Sequence, residues 1–238
     1  MPKNDQLHSQ IKKDIIEKIE NGYYRPGKNL PTEAEFCNIY NVSRTTVRTA
    51  LNHLIMEGHI YRKQGKGTFV AKGKVKQVLS SSKLQYAAQL ESQGLKPKIE
   101  VNDLQLLVPP AKISRILNVE EGTKVHQVKR TRFADHEEIQ FEVAYVRQDL
   151  VPELTTKMVG HSLYESIKNQ GNQINRTEEQ IKIVISDEEV AGNLNISSGS
   201  PCFQITTKTF LNSEDIVEYS EAYFRGDRVE FLIERNYE

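Results

Sequence analysis

The chain has 238 residues, 37% of them hydrophobic and 27% charged, and a mean hydropathy of −0.57. That length suits one or two domains with a buried core; no run approaches the ~18 apolar residues of a membrane span, and two cysteines, Cys37 and Cys202, exclude a disulfide framework. The formal net charge is zero, but residues 1–75 carry 13 Lys/Arg against 7 Asp/Glu and residues 76–238 carry 19 against 25, a split of +6 and −6 that suggests a basic module meeting a polyanion before an acidic one, a solvated basic face being the alternative.

The opening Met1-Pro2-Lys3-Asn4-Asp5-Gln6 lacks the apolar core of a signal peptide, so the expected location is a reducing cytoplasm. From Asp5 to Asn21 the residues Leu7, Ile11, Ile15 and Ile19 recur every fourth position, which predicts an amphipathic helix capped by Asn4 or Asp5. Asn21-Gly22 stops it and Arg25-Pro26-Gly27 turns the chain. Thr32-Glu33-Ala34-Glu35 fits a capping box for a short helix whose apolar side is Phe36, Ile39 and Tyr40. Ser43 is the expected cap of a third helix through Glu57, with Val47, Ala50, Leu51, Leu54 and Ile55 at helical spacing. Two strand-like runs, Ile60-Tyr61-Arg62 and Thr68-Phe69-Val70, flank the basic glycine tip Lys63-Gln64-Gly65-Lys66-Gly67.

Residues 73–83 read as a linker, bordered by Lys72 and running into Ser80-Ser81-Ser82. Beyond it the pattern changes to short β-rich runs: Val101–Val108, Val125–Phe133, Ile139–Val146, Gln180–Ile185, Cys202–Leu211 and Val217–Phe224. Helical runs punctuate them at Leu84–Gln93, Ala111–Leu117, Ser162–Asn169 and Asp187–Leu194. Hairpin-length links such as Asp135-His136-Glu137 and Asn212-Ser213-Glu214 predict a largely antiparallel sheet with helices, an α+β class.

Three helices followed by a hairpin is the layout of a winged helix-turn-helix. With Val47, Leu51 and Leu54 turned to the core, Arg44, Thr45 and Arg48 fall on the outward face of the third helix, in the turns that reach base edges in the major groove. An arginine fork binds guanine O6 and N7 bidentately, ~1–3 kcal/mol of discrimination per good pair. Ser43 and Thr46 stand beside free helix-start amides that suit phosphate, and Lys63, Lys66 and the glycine tip suit a wing on the backbone or minor groove. A solvated amphipathic helix explains Arg44 or Arg48 taken singly. The ordered series of cap, helix, turn, arginine-bearing helix and basic hairpin favours DNA.

On Leu30-Pro31-Thr32-Glu33, Val42-Ser43-Arg44-Thr45-Thr46-Val47-Arg48, Ala50-Leu51, Glu57-Gly58 and Gly65-Lys66-Gly67-Thr68-Phe69-Val70, residues 7–70 resemble the DNA-binding domain of the GntR family of bacterial transcription regulators. The resemblance implies a homodimer on a pseudo-palindromic double-stranded operator. It implies base contacts from Arg44 and Arg48, and DNA contacts from Thr32, Ser43, Thr45, Thr46, Lys63, Gly65, Lys66 and Gly67. Many members carry arginine where this chain has Ala34, so one contact used elsewhere is missing.

In the second region Arg130 and Arg132 are two apart in a β-like run, so both leave one face, where two guanidiniums can clamp a phosphate or carboxylate. Glu142 lies in the next strand, and Ser162 and Tyr164 flank a helix start whose amides favour an anion. A surface sheet whose arginines pair with Glu137, Glu138 or Glu142 explains the same residues. On Lys129-Arg130-Thr131-Arg132, Glu142, Ser162-Leu163-Tyr164 and the run from Tyr223 to Phe231, residues 84–238 resemble the UTRA effector-binding domain of the HutC subfamily, a chorismate-lyase-like antiparallel sheet with flanking helices. The resemblance implies an effector site of Tyr86, Arg130, Arg132, Glu142, Ser162, Tyr164, Glu218 and Phe224 for a small anion such as a phosphosugar. Family sites often end in tyrosine where Phe224 stands, and carry a hydroxyl residue where Ala87 stands.

The organisation expected is therefore a winged helix-turn-helix at 1–72, a linker at 73–83 acting as hinge, and an effector-binding and dimerisation domain at 84–238. The expected function is a repressor released from its operator by a small anionic metabolite, with no cofactor, metal, membrane or catalytic role. An enzyme finds no support: Cys202 has no evident partner, His8, His53, His59, His126, His136 and His161 lack metal-ligand spacing, and Ile60 stands where a phosphate loop ending in Gly65-Lys66 needs its first glycine. An effector-independent DNA binder leaves the size of the second domain unexplained.

Overall fold

The computed structural model describes residues 3–63, 65–71, 73–79 and 86–233, which fall into two units. One is drawn from Met1–Lys76 and Asp227–Glu230, the other from Gln77–Gly226 and Phe231–Glu238.

In the first unit α1 (Lys3–Glu20), α2 (Glu33–Tyr40) and α3 (Arg44–Met56) precede a hairpin of β1 (Ile60–Lys63) and β2 (Gly67–Val70). The first helix starts at Lys3, so Asn4 and Asp5 lie inside it and neither is its cap. A spacing of four residues overshoots the 3.6-residue turn by about 40° each time, so the stripe drifts. Ile11 and Ile15 are buried at its middle, while Leu7 is exposed. The capping box forms at α2: the Glu35 amide donates to Thr32 Oγ1 at 3.3 Å and the Thr32 amide donates to Glu35 Oε2 at 2.7 Å. Phe36 enters the core, but Ile39 is 53% exposed and Cys37 packs in its place. Asn41, left-handed at φ 51°, ends α2, and Ser43 caps α3. Val47, Ala50, Leu51 and Leu54 then meet Ile11, Ile15, Phe36, Ile60 and Val70 in one core.

The second unit is built on six strands: β4 (Pro97–Leu107), β5 (Val125–Ala134), β6 (Glu137–Arg147), β7 (Ile174–Ile185), β8 (Pro201–Leu211) and β9 (Ile216–Arg225). Their order is β4-β5-β6-β9-β8-β7, and every neighbouring pair is antiparallel. Short helices complete it: α4 (Tyr86–Glu91), α5 (Ala111–Leu117), α6 (Thr156–His161), α7 (Leu163–Lys168) and α8 (Glu188–Leu194). Alternation along the strands sends Val128, Ala144 and Val146 to one face, under Val159 of α6 and Leu163 and Ile167 of α7. On the opposite face Val125 and Tyr219 pack on Ile113 and Leu117 of α5, and Phe141 packs on Val190 and Leu194 of α8.

Of the expected linker, Val75–Val78 forms strand β3, which pairs with β10 (Val229–Leu232); residues 80–83 lie outside the described ones. So do Leu84 and the residue after it in the expected fourth helix. No described helix is long and apolar enough to cross a membrane.

Candidate functional site

Two clusters hold the residues singled out from the sequence, one in each unit. In the first, Ser43 takes the extended backbone of a cap, and its Oγ accepts from the Thr46 amide at 3.3 Å. Arg44 and Thr45 then open α3 on the solvent side, and Arg48 follows one turn later, all exposed. Thr46 differs from them. It is 6% exposed, and its hydroxyl shares a 2.9 Å hydrogen bond with the Ser43 hydroxyl. Thr46 thus braces the cap instead of facing outward. Thr32 has its hydroxyl bonded to Glu35 Oε2 at 2.8 Å, so its polar group is occupied by the capping box.

The hairpin tip is open. Gly65 and Gly67 have φ of +70° and +112°, which other residues adopt only under strain, and no atom lies within 4 Å of a Cβ built at Gly65. Lys66 between them is exposed. The Lys63 side chain lies outside the described residues, as does Gln64. Glu33 was read only as a member of a motif, and Arg62 only as part of a strand; both belong to this face. The Glu33 carboxylate accepts from Arg48 Nη2 at 3.0 Å and from Arg62 Nη2 at 2.8 Å. Nothing in helical or strand periodicity reports a contact across 15 or 29 residues.

In the second unit the antiparallel register aligns the expected effector residues. Arg130 lies opposite Glu142, Arg132 opposite Gln140, Gln140 opposite Phe224, and Glu218 opposite Thr209. Directly paired and alternate residues share a face, so Arg130, Arg132, Glu142, Glu218 and Phe224 all stand on the side covered by α6 and α7.

Arg130 is 2% exposed. Its Nε donates to Glu142 Oε2 at 2.8 Å, its Nη2 donates to the same oxygen, and its Nη1 donates to the Val159 carbonyl at 2.9 Å. Burial pushes the Glu142 carboxyl up, but Arg130 and Arg132 together outweigh it and hold the group below the ordinary carboxylate value. The structure thus joins two readings that the sequence left open: Arg130 is hydrogen-bonded to Glu142, and Arg132 shares that carboxylate only through a longer ion pair. Arg132 Nη2 lies 3.7 Å from Glu142 Oε1, beyond hydrogen-bond length, and its buried Nε has no hydrogen-bond partner among the described residues. Its guanidinium carbon stands 4.7 Å from the centre of the Tyr86 ring, and the buried Tyr86 hydroxyl is also unpartnered. Buried polar atoms without partners are rare in folded chains, and each of these two needs an explanation.

Along the same face the Tyr164 hydroxyl bonds Thr209 Oγ1 at 3.0 Å, and Thr209 donates to the Glu218 carboxylate. Burial pushes Glu218 up to about 7, against the Thr209 and Ser220 hydroxyls. Thr209 was missed as a member of this chain, because only the register places it opposite Glu218. Ser162 Oγ caps α7 by accepting from the Glu165 amide at 3.2 Å. Phe224 packs edge-on against Phe231 with centroids 5.1 Å apart, so it closes an apolar corner and offers no hydroxyl. Among the described residues no group of three His, Cys, Asp or Glu is placed to hold a metal ion.

Comparison with known proteins gives these two clusters a context. Residues 7–70 match the gntR family of bacterial regulatory proteins, and residues 92–230 match the UTRA domain. The HTH-type transcriptional repressor NagR of Bacillus subtilis is 30% identical, over 95% of this chain and 93% of that protein. A probable fructoselysine utilization operon transcriptional repressor of Shigella flexneri is 28% identical, over 96% of this chain and 94% of that protein. The crystal structure of PhnF from Mycobacterium smegmatis shares the fold, with a TM-score of 0.65 at 23% identity over 98% of this chain and 100% of that one.

Proposed function

The chain belongs to the GntR family of bacterial transcription regulators, in its HutC-type branch with a UTRA domain, and we propose that it is a dimeric repressor released from operator DNA by a small sugar-derived anion. It is a ligand-responsive DNA-binding regulator, and the relatives named as repressors, one of them of a fructoselysine operon, support both the sign of control and the kind of effector. The observation that carries the reading is the exposed start of α3. There Ser43 caps the helix and Arg44, Thr45 and Arg48 face solvent, in a basic unit with an open glycine tip. That is a recognition helix with its wing. The site of action is the cytoplasm, where the DNA is, and no catalytic step is needed.

The effector takes the corner of Arg132 and Tyr86. Arg132 Nε and the Tyr86 hydroxyl donate to its acidic group, and the Tyr164–Thr209–Glu218 chain meets its hydroxyls. Arg130 holds Glu142 and the α6 carbonyl, and so shapes the site from below. Ser162 supports α7, and Phe224 bounds the apolar side. The dimer forms through β7, a twelve-residue strand at the sheet edge whose Ile181, Ile183 and Ile185 are 42%, 74% and 67% exposed. A long apolar edge pairs readily with a second copy.

Fluorescence anisotropy on DNA from the gene's own upstream region, with and without a panel of phosphosugars and sugar acids, tests the reading. Specific binding with a steep salt dependence, relieved by one compound, is the expected result. Specific binding that no compound alters would make this an effector-independent DNA binder. No specific duplex, even after random-site selection, would overturn the assignment.

A further inference from the structure

Glu33 stands where three elements of the first unit meet. It is the first residue of α2, yet the capping box there uses Thr32 and Glu35 and leaves its carboxylate out. That carboxylate reaches instead to α3 and β1. Oε2 accepts from Arg48 Nη2 at 3.0 Å, while Oε1 accepts from Arg48 Nε at 3.4 Å and from Arg62 Nη2 at 2.8 Å. The hydrogen bond from Arg48 and the charges of Arg48, Arg62 and Arg44 hold the Glu33 carboxyl below its ordinary value against partial burial, so it stays ionised at neutral pH.

An ionised carboxylate on a face that meets a polyanion costs affinity unless it serves the cations around it. Stability is a poor reason for it, because the Arg48 and Arg62 side chains are 61% and 44% exposed and exposed ion pairs contribute little. Geometry is a better one. A guanidinium has five N–H donors in a fixed fork, and Glu33 takes only Nε–H and one Nη2–H of Arg48 and one donor of Arg62. The remaining edges stay available with the side chains already oriented, which lowers the ordering cost of docking. Ala34, the exposed neighbour of Glu33, adds no cation at this corner; Arg62 does.

We propose that Glu33 is a positioning residue for operator recognition, and that Arg62 on the wing strand is a DNA-contacting residue which it holds beside Arg48. The proposal rests on the reading of the first unit as the operator-binding head. Arg48 reads a base edge with its plane set by Glu33, and Arg62 takes a backbone phosphate.

The test uses the full chain, a duplex recovered by random-site selection with it, and a scrambled duplex of the same composition. Anisotropy titrations at several salt concentrations, with a thermal melt of each variant, compare Glu33→Gln, Glu33→Asp, Arg62→Gln and Arg48→Ala. Glu33→Gln is expected to cut discrimination between the duplexes about tenfold, while affinity for the scrambled one holds or rises. Glu33→Asp, which keeps the carboxylate, should restore most of the discrimination. Arg62→Gln is expected to weaken both duplexes alike and to lower the log–log salt slope by about 0.9, one phosphate contact. A melt lowered in Glu33→Gln with both affinities falling together would overturn the positioning role in favour of a structural one. A wild-type salt slope in Arg62→Gln would overturn the phosphate contact. Arg48→Ala separates the levels: if it also keeps full discrimination, the head itself is misassigned, and if it alone loses discrimination, only the present inference fails.

Discussion

At the scale of single residues the second unit separates two arginines that look alike in the sequence. Arg130 and Glu142 form a buried pair, and breaking such a pair costs about 3–5 kcal/mol where nothing else compensates the charge left; Arg132 at 3.7 Å offsets part of that for Glu142. Arg132 stands over Tyr86, is 19% exposed and makes only a longer ion pair, so its loss is expected to cost the fold less. Arg130→Ala should therefore lower the urea midpoint of the full chain strongly. Arg132→Ala should leave that midpoint and DNA affinity near wild type and abolish release by the effector. Equal midpoints for the two variants would contradict this division of roles. Glu218 supplies a second residue-scale prediction. Its carboxyl loses its proton near 4.5 in the unfolded chain and near 7 in the folded one. Between those values the folded state binds more protons, so this group's contribution to stability falls as pH rises from about 4.5 to about 7 and is level above. Glu218→Gln removes the titration. Urea unfolding at pH 5 and pH 8 should show the wild type losing up to about 3 kcal/mol relative to the variant. A difference independent of pH would place Glu218 in a more polar setting than its partners indicate.

Elements were legible in the sequence where the physics is local. Thr32 with Glu35, Ser43 at the start of α3 and the glycine tip at Gly65–Gly67 each act within a few residues, and each forms as expected. The apolar spacing of α3 also finds its core. Elements that depend on distant partners were not legible. Strand β3 lies in a stretch of alternating lysines that reads as linker, and it becomes a strand only because β10 pairs with it. Of β7 only residues 180–185 were anticipated, because Asn175, Arg176, Thr177, Glu178 and Glu179 carry no buried alternation. Pairing with β8 from Ile174 to Ile185 extends it regardless. In the same way the candidate effector residues were named by type, but the different settings of Arg130, Arg132 and Glu142 need the register. Strand β7 also makes the element-scale prediction. Ile183→Lys places a charge in the middle of its exposed apolar edge without touching the core of the unit. If the proposed dimer forms through this strand, sedimentation should show it shifted to monomer with an unchanged thermal melt of secondary structure. A dimer that survives the substitution would move the interface elsewhere.

At the scale of the whole molecule, a chain of zero net charge is expected to bind a polyanion. The two facts agree because the charge is divided along the chain, +6 in residues 1–75 and −6 in the remainder, so the part read as the DNA head is itself basic. On the reading proposed above, Arg132 lets the acidic remainder take an anion of its own. The two ligands then compete through one equilibrium. An effector that weakens operator binding does so only by its different affinity for the DNA-bound and free states, typically ~1–3 kcal/mol of coupling, or about 5–150-fold. Linkage makes this reciprocal: operator DNA must weaken effector binding by the same factor. Calorimetric titration of the releasing compound into the free protein and into the protein saturated with operator should give dissociation constants whose ratio equals the shift it causes in operator affinity. In Arg132→Ala the compound should bind neither form measurably and should leave operator affinity unchanged, because that variant loses effector contact while its head is intact. A compound that still releases DNA from Arg132→Ala with the wild-type ratio would be acting on the head itself, by occupying the Arg44 and Arg48 face, and the second unit would then be no sensor.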